Sequence, residues 1–300
     1  MEHYHPSGSN VSRSLKIVAW LQAVYFIFEI IIGLWTGSIA VIADALHSLS
    51  TVGGVVLSLI AAFISQKGEA TPRQTFSRYR AEIIGALFNG LLLLLMAVIV
   101  VGTGIYRLIS PIAPPAGPML IAAAGAIITE TIAIKLLYRE QKISLNVKGA
   151  FLHVIQTFLG SFFIIVSAVV IYFTGFIRID PILAIGFALT LFWMSIRMLK
   201  RTVSVLMENV PEELDLTQII DKIMAVKGTK GVHHIHLWSL TSSMYVFMAH
   251  ILVDDYQQGQ RIQNDVHKLL KDEYNVYFST IQIERECPDK GSAEAIDITE

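Results

Sequence analysis

A chain of 300 residues that is 54% hydrophobic and 16% charged, with a net charge of −1, carries no basic field of the kind nucleic acid requires. Its mean hydropathy of +0.58 lies far above that of a soluble globular chain and points to a membrane protein. The single cysteine, Cys287, excludes an intramolecular disulfide framework.

Residues 1–14 are polar and lack the basic-then-apolar layout of a cleaved signal peptide, so they read as a cytoplasmic N-terminal tail. A bilayer core of about 30 Å, crossed at about 1.5 Å per residue, takes about 20 apolar residues. Six runs meet that length: Ile17–Trp35, Ser38–Ile64, Ala81–Tyr106, Pro118–Tyr138, Gly149–Phe173 and Pro181–Leu199. They make residues 15–206 a transmembrane domain of six helices. Arg13, Lys16, Lys67, Arg73, Arg78, Arg80, Arg139, Lys142, Lys148, Lys200 and Arg201 flank the spans on one side, and Arg107 and Arg178 on the other. The positive-inside rule then puts both termini in the cytoplasm, with the chain multi-pass in the inner or plasma membrane and lipid as its surroundings.

Ionisable groups at membrane depth are costly and mark a pathway or site. Span 1 carries Glu29, which reads equally as part of a proton path or as a neutral acid bonded to a neighbouring helix. Span 2 carries Asp44, His47 three residues on and Thr51 four further, all on one helix face. Span 5 repeats the pattern with His153 and Thr157, and adds Gln156. Two readings of these His-x-x-x-Thr pairs stand. They are interhelical hydrogen bonds, or the two imidazoles form half of a tetrahedral zinc site whose other corners would be hydroxyls. In span 4, Glu130 and Lys135 lie five apart, a poor same-face spacing, and Lys135 reads as reaching for the cytoplasmic side. Asp180 before Pro181 reads as the N-cap of span 6.

After Glu208 no segment is long and apolar enough to span. Residues 207–286 read as a small cytoplasmic α+β domain: a helix over Leu214–Val226, strands over 232–240 and 244–253, a helix over 258–274 and a strand over 276–284. The order αββαβ predicts a ferredoxin-like sheet with helices on one face. Strict alternation puts His234 and His236 on one face and His233 on the other. His233 with His250 of the next strand is then a candidate metal pair, or simply two imidazoles on a surface strand. His267 reads as a solvated helix residue, His3 and His5 as part of the N-terminal tail, and residues 287–300 as a flexible tail.

Several stretches in order, "FEIIIGLWTGSIAVIADALHSLS", "FSRYRAEIIGALFNG", "RLISP", "NVKGAFLHV", "LMENVPEELD" and "GVHHIHLWSLTSSMYVFMAHILV", resemble the cation diffusion facilitator family of membrane exporters of zinc and related divalent metals. The resemblance runs from Ser14 to about Glu286. It implies a homodimer, or a heteromer, of six-span protomers that expel Zn2+ or another divalent metal in exchange for protons. The cytoplasmic domain would bind metal and dimerise. In the family's membrane site, His-x-x-x-Asp or Asp-x-x-x-Asp stands on span 2 and His-x-x-x-Asp on span 5. Here His47 and His153 match, while Thr51 and Thr157 stand where carboxylates are expected, and Asp44 is the acidic residue left nearby. Thr103 and Thr129 fall where the family often has Glu and Asn. His233 and His250 match positions that bind metal between protomers. Phe278 replaces a histidine, and Gln282 and Glu284 stand where further ligands occur.

The expected function is therefore efflux of a divalent cation, zinc by default. The alternative is a non-transporting relative that serves as a partner subunit or metal-sensing binder through residues 209–300. A third reading, an intramembrane hydrolase using Ser50 or Thr51 with His47, finds no oxyanion motif, and the chain is expected not to be an enzyme.

Overall fold

The computed structural model describes residues 13–50, 53, 72, 74–76, 78–138, 145–241 and 244–286; for 13–16, 145–150, 152 and 153 it describes the backbone alone. The expected tails, with His3, His5 and Cys287, and much of the loop before span 3 lie outside the described residues. The chain divides into two compact units, one of Met1–Ser77 with Ile84–Leu199, the other of Arg78–Ile83 with Lys200–Glu300.

The first unit is helical: α1 (Arg13–Thr36), α2 (Ile39–Ser50), α3 (Ala81–Ile109), α4 (Ala116–Leu137), α5 (Leu145–Thr174) and α6 (Ile179–Leu206). Among the described residues, five helices are long and apolar enough to cross a bilayer, and α2 lies within the expected second span. Apart from Gly53, the rest of that span lies outside the described residues. The bundle turns outward the large apolar side chains that lipid solvates, including Trp20, Leu34, Trp35, Ile121 and Trp193. It turns inward a set of alanines, among them Ala43, Ala97, Ala122, Ala123, Ala126, Ala168 and Ala188. Small side chains let backbones approach, which is the main source of helix cohesion in lipid. A Cβ on Gly33 would lie 2.9 Å from Ile42 Cγ1. α4 packs against both α1 and α5.

Gly37, at φ 67°, breaks α1 from α2; its N–H donates to Gly33 O at 2.9 Å. This left-handed position is cheap only for glycine. The start of α2 is then capped from a distant segment. Asp180 accepts from Ile39 N at 2.8 Å and from Ser38 Oγ at 2.6 Å. This corrects the reading of Asp180 as its own helix's cap. α6 already begins at Ile179, and the buried carboxylate satisfies the orphan donors of α2 instead.

The second unit has the expected αββαβ order: α7 (Leu216–Met224), β1 (Thr229–Thr241), β2 (Met244–Val253), a short 3-10 turn (Tyr256–Gln258), α8 (Gly259–Tyr274) and β3 (Phe278–Glu284). Asp215 caps α7 by accepting from Thr217 N and Gln218 N. The sheet order is β1-β2-β3, antiparallel between β1 and β2 and parallel between β2 and β3. Ile219 and Ile223 of α7 and Ile262, Val266 and Leu270 of α8 pack with Phe247, Ile251, Val253 and Ile281 on one face of the sheet. The opposite face carries His233, His236, Met248, His250, Gln282 and Glu284 in register.

Candidate metal sites

In the second unit, the site starts from an irregularity of β1. His233 pairs with His250, yet the next pair is His236 with Met248, so three steps on β1 match two on β2. The extra residue is a β-bulge, and His234 sits in it with φ 51°. The bulge overturns the face assignment made by strict alternation: His233 and His236 share the open face, and His234 leaves the ladder. Its ring stacks on His250, with centroids 4.9 Å apart and planes 15° apart.

Glu284 reaches this pair from β3. Its Oε2 lies 3.1 Å from His233 Nε2 and its Oε1 lies 3.0 Å from His250 Nδ1. The Gln282 side-chain amide donates to Oε1 at 2.6 Å and so orients the carboxylate. His233 and Glu284 are buried and His250 is partly exposed. The three ligand atoms lie within 4.8 Å of one another. Ligands about 2.1 Å from one tetrahedral zinc ion stand about 3.4 Å apart, so small rotations suffice. Two imidazoles, one carboxylate and an open fourth corner make a donor set that fits zinc and its neighbours. Phe278 lies on the same open face and offers no ligand. His267 is half-buried, not simply solvated: its Nδ1 meets Ser279 Oγ, and burial holds its pKa below the ordinary imidazole value.

In the membrane unit, the sequence-predicted residues divide. Asp44 and His47 are buried on α2, and Thr157 is buried on α5. Thr51 and the His153 side chain lie outside the described residues. The His47 ring meets Phe187 edge-on at 5.7 Å. Thr157, Thr103 and Thr129 each donate their hydroxyl to a carbonyl of their own helix, at 2.8 Å in each case. Thr103 is exposed.

Asp44 does not stand alone. Ser161 of α5 lies 3.1 Å from Asp44 Oδ2 and 2.9 Å from Glu130 Oε1 of α4. Glu130 also reaches Thr157. Glu29 of α1 is fully buried, shares a hydrogen bond with Asp44 and lies near Glu130. Four helices thus bring three carboxyl groups to one place. Gly160 makes the approach possible: a Cβ there would overlap Asp44 Oδ1 and lie 2.9 Å from Phe187 Cζ. Spacing within a single helix gave no signal for Glu130 or Ser161, because each acquires meaning only from the helix beside it.

The family profile described as the cation efflux transmembrane domain matches residues 15–207. The chain belongs to the cation efflux family. A second profile, the cytoplasmic domain of cation efflux proteins, matches residues 211–286. This is the family of the cation diffusion facilitator motifs, a family of membrane metal transporters and not of enzymes. The hydrolase reading therefore falls, and Ser50 Oγ in fact faces Asn89 Oδ1 at 3.4 Å. Among its relatives, this cation efflux protein is 34% identical to the metal cation efflux system protein CzcD of Cupriavidus metallidurans, over 94% of this chain and 89% of that one. It is 30% identical to a cadmium, cobalt and zinc/H(+)-K(+) antiporter of Bacillus subtilis, over 98% and 95%. To the human proton-coupled zinc antiporter SLC30A2 it is 28% identical, over 98% and 82%.

Proposed function

We propose that this protein exports a divalent d-block cation, zinc by default, from the cytoplasm across the cell membrane in exchange for protons. It does so as a homodimer with both termini of each protomer in the cytoplasm. The observation that carries the reading is the polar stripe of α2, with Asp44 and His47 buried in the middle of an apolar helical bundle. Burying such groups costs on the order of several kcal/mol, a cost that persists where function needs them. The relatives named for zinc, cadmium and cobalt transport supply the substrate class.

The transported ion binds among His47, His153, Thr51, Thr157 and Asp44, open in turn to the cytoplasm and to the outside. Metal requires the neutral imidazole, so proton entry from outside displaces it. His233, His250 and Glu284 form a second, regulatory site in the cytoplasmic domain, taken as residues 207–286 beside a membrane domain of 15–206. Reconstituted protein should show zinc-dependent proton flux across the liposome membrane, opposite in direction to the zinc. Undiminished flux in a chain carrying both His47→Ala and His153→Ala would reject the membrane site.

A second reading is a relative that senses metal, or serves as a partner subunit, without transporting it. It is favoured by the contrast between the complete His233–His250–Glu284 set and the threonines at 51 and 157. It predicts no flux from the unmodified chain and flux created by Thr51→Asp with Thr157→Asp.

A further inference from the structure

We infer that Glu130 of α4 and Glu29 of α1, together with Asp44, supply the anionic ligands of the intramembrane divalent-cation site, in place of the carboxylates that positions 51 and 157 lack. The inference rests on the exporter reading and names the ligands its site would otherwise be without.

The first argument is charge. A dication among neutral imidazoles and hydroxyls keeps its full charge in a low-dielectric bundle, which is prohibitive. Threonine at 157 removes an anion from α5, but Glu130 reaches that same threonine from α4. The carboxylate has moved to the neighbouring helix, not left the neighbourhood.

The second argument is the count of donors. Ser161 Oγ stands 3.1 Å from Asp44 Oδ2, 2.9 Å from Glu130 Oε1 and 3.4 Å from Thr157 O. A serine hydroxyl owns one proton and can serve one of these three acceptors. The Thr157 hydroxyl stands 2.8 Å from Val154 O and is also within hydrogen-bond reach of Glu130. The remaining approaches of oxygen to oxygen each need a proton on a carboxyl group or a bound cation between them.

The third argument is Glu29. It is fully buried, it shares a hydrogen bond with Asp44 and lies near Glu130, and among the described residues no other group meets its oxygens. Asp44 Oδ1 and Glu130 Oε2 likewise receive no donor from the described residues. Buried carboxyl oxygens are almost always satisfied, here by shared protons or by a bound cation, and a cation entering among these four oxygens displaces the protons. A site rich in carboxylate oxygen suits harder divalent ions, so it accepts Mn2+ as well as Zn2+.

The test uses the full chain in detergent, with His233→Ala and His250→Ala silencing the cytoplasmic cluster, and Mn2+ as probe. Binding is read from loss of the free-ion electron paramagnetic resonance signal. The expected result is one Mn2+ per protomer, weakened about a hundredfold by Glu130→Gln and by Glu29→Gln. Adding Thr157→Asp to Glu130→Gln should restore affinity to within about tenfold, because the carboxylate returns to α5. The restored double variant separates a ligand role from a folding role, and Glu29→Gln stands as the second variant if Glu130→Gln does not fold. Binding that neither glutamine substitution weakens would overturn the inference. Zinc flux of the same chains distinguishes the two claims. Flux that Glu130→Gln leaves intact sinks the inference and spares the exporter reading. Carboxylate-dependent Mn2+ binding in an unmodified chain that moves no zinc does the reverse.

Discussion

Glu284→Gln isolates the charge of the cytoplasmic cluster, because the amide keeps the shape and loses the anion. Glu284 stands 3.1 Å from His233 Nε2 and 3.0 Å from His250 Nδ1, so all three donors can converge on one ion. A unit negative charge about 2.1 Å from a dication is worth about 4 kcal/mol even in the dielectric of bulk water. The cluster is mostly buried, which strengthens the term, while water entering the vacated corner offsets part of it. The expected loss is about a thousandfold in Kd for zinc. Chelator-competition calorimetry on the purified full chain reads it. His236→Ala, on the same strand but exposed, is the control and should shift affinity by no more than about twofold. A Glu284→Gln chain that loses less than tenfold would refute the assignment of this carboxylate as a ligand.

Gly160→Ala places a methyl against Asp44 Oδ1 and Phe187, and overpacking of this kind costs about 1–3 kcal/mol, seen as a lower thermal midpoint in detergent; an unchanged midpoint would deny the close approach of α2 and α5. Asp180→Ala strands the buried donors of Ser38 and Ile39, at a cost of about 1–3 kcal/mol. Asp180→Asn should recover part of that loss, and a midpoint indifferent to both changes would contradict the capping role. Burial holds His267 below its ordinary value of 6.5, so the unfolded chain takes up a proton first and stability falls as pH drops below about 6.5. His267→Gln should flatten that part of the stability profile between pH 7.5 and 5.5, whereas parallel profiles would show that His267 contributes nothing to it.

The spans were legible because lipid imposes a blunt rule on length and hydropathy, which "LLLLLMAVIVV" in α3 satisfies without ambiguity. The cytoplasmic sheet was legible because β2 alternates cleanly, with Phe247, Ala249, Ile251 and Val253 all turned to the helices. What escaped were relations that one residue or one distant helix decides. A single extra residue at His234 exchanges the faces of everything before and after it, and no propensity announces a histidine at positive φ. Asp180 has the local signature of a cap, and it is one, but for a helix 141 residues away in sequence. Glu130 looked poorly placed beside Lys135 on its own helix. Its partner is Ser161, 31 residues on, and only packing of α4 against α5 reveals it.

The central claim is that a doubly charged ion rests inside the membrane bundle beside His47, and anomalous X-ray scattering at the zinc edge, from crystals of the full chain grown with Zn2+, tests it most directly. The account predicts a peak among His47, Asp44 and α5, separate from the peak at His233, His250 and Glu284. A zinc peak at the cytoplasmic cluster with none in the bundle would contradict it.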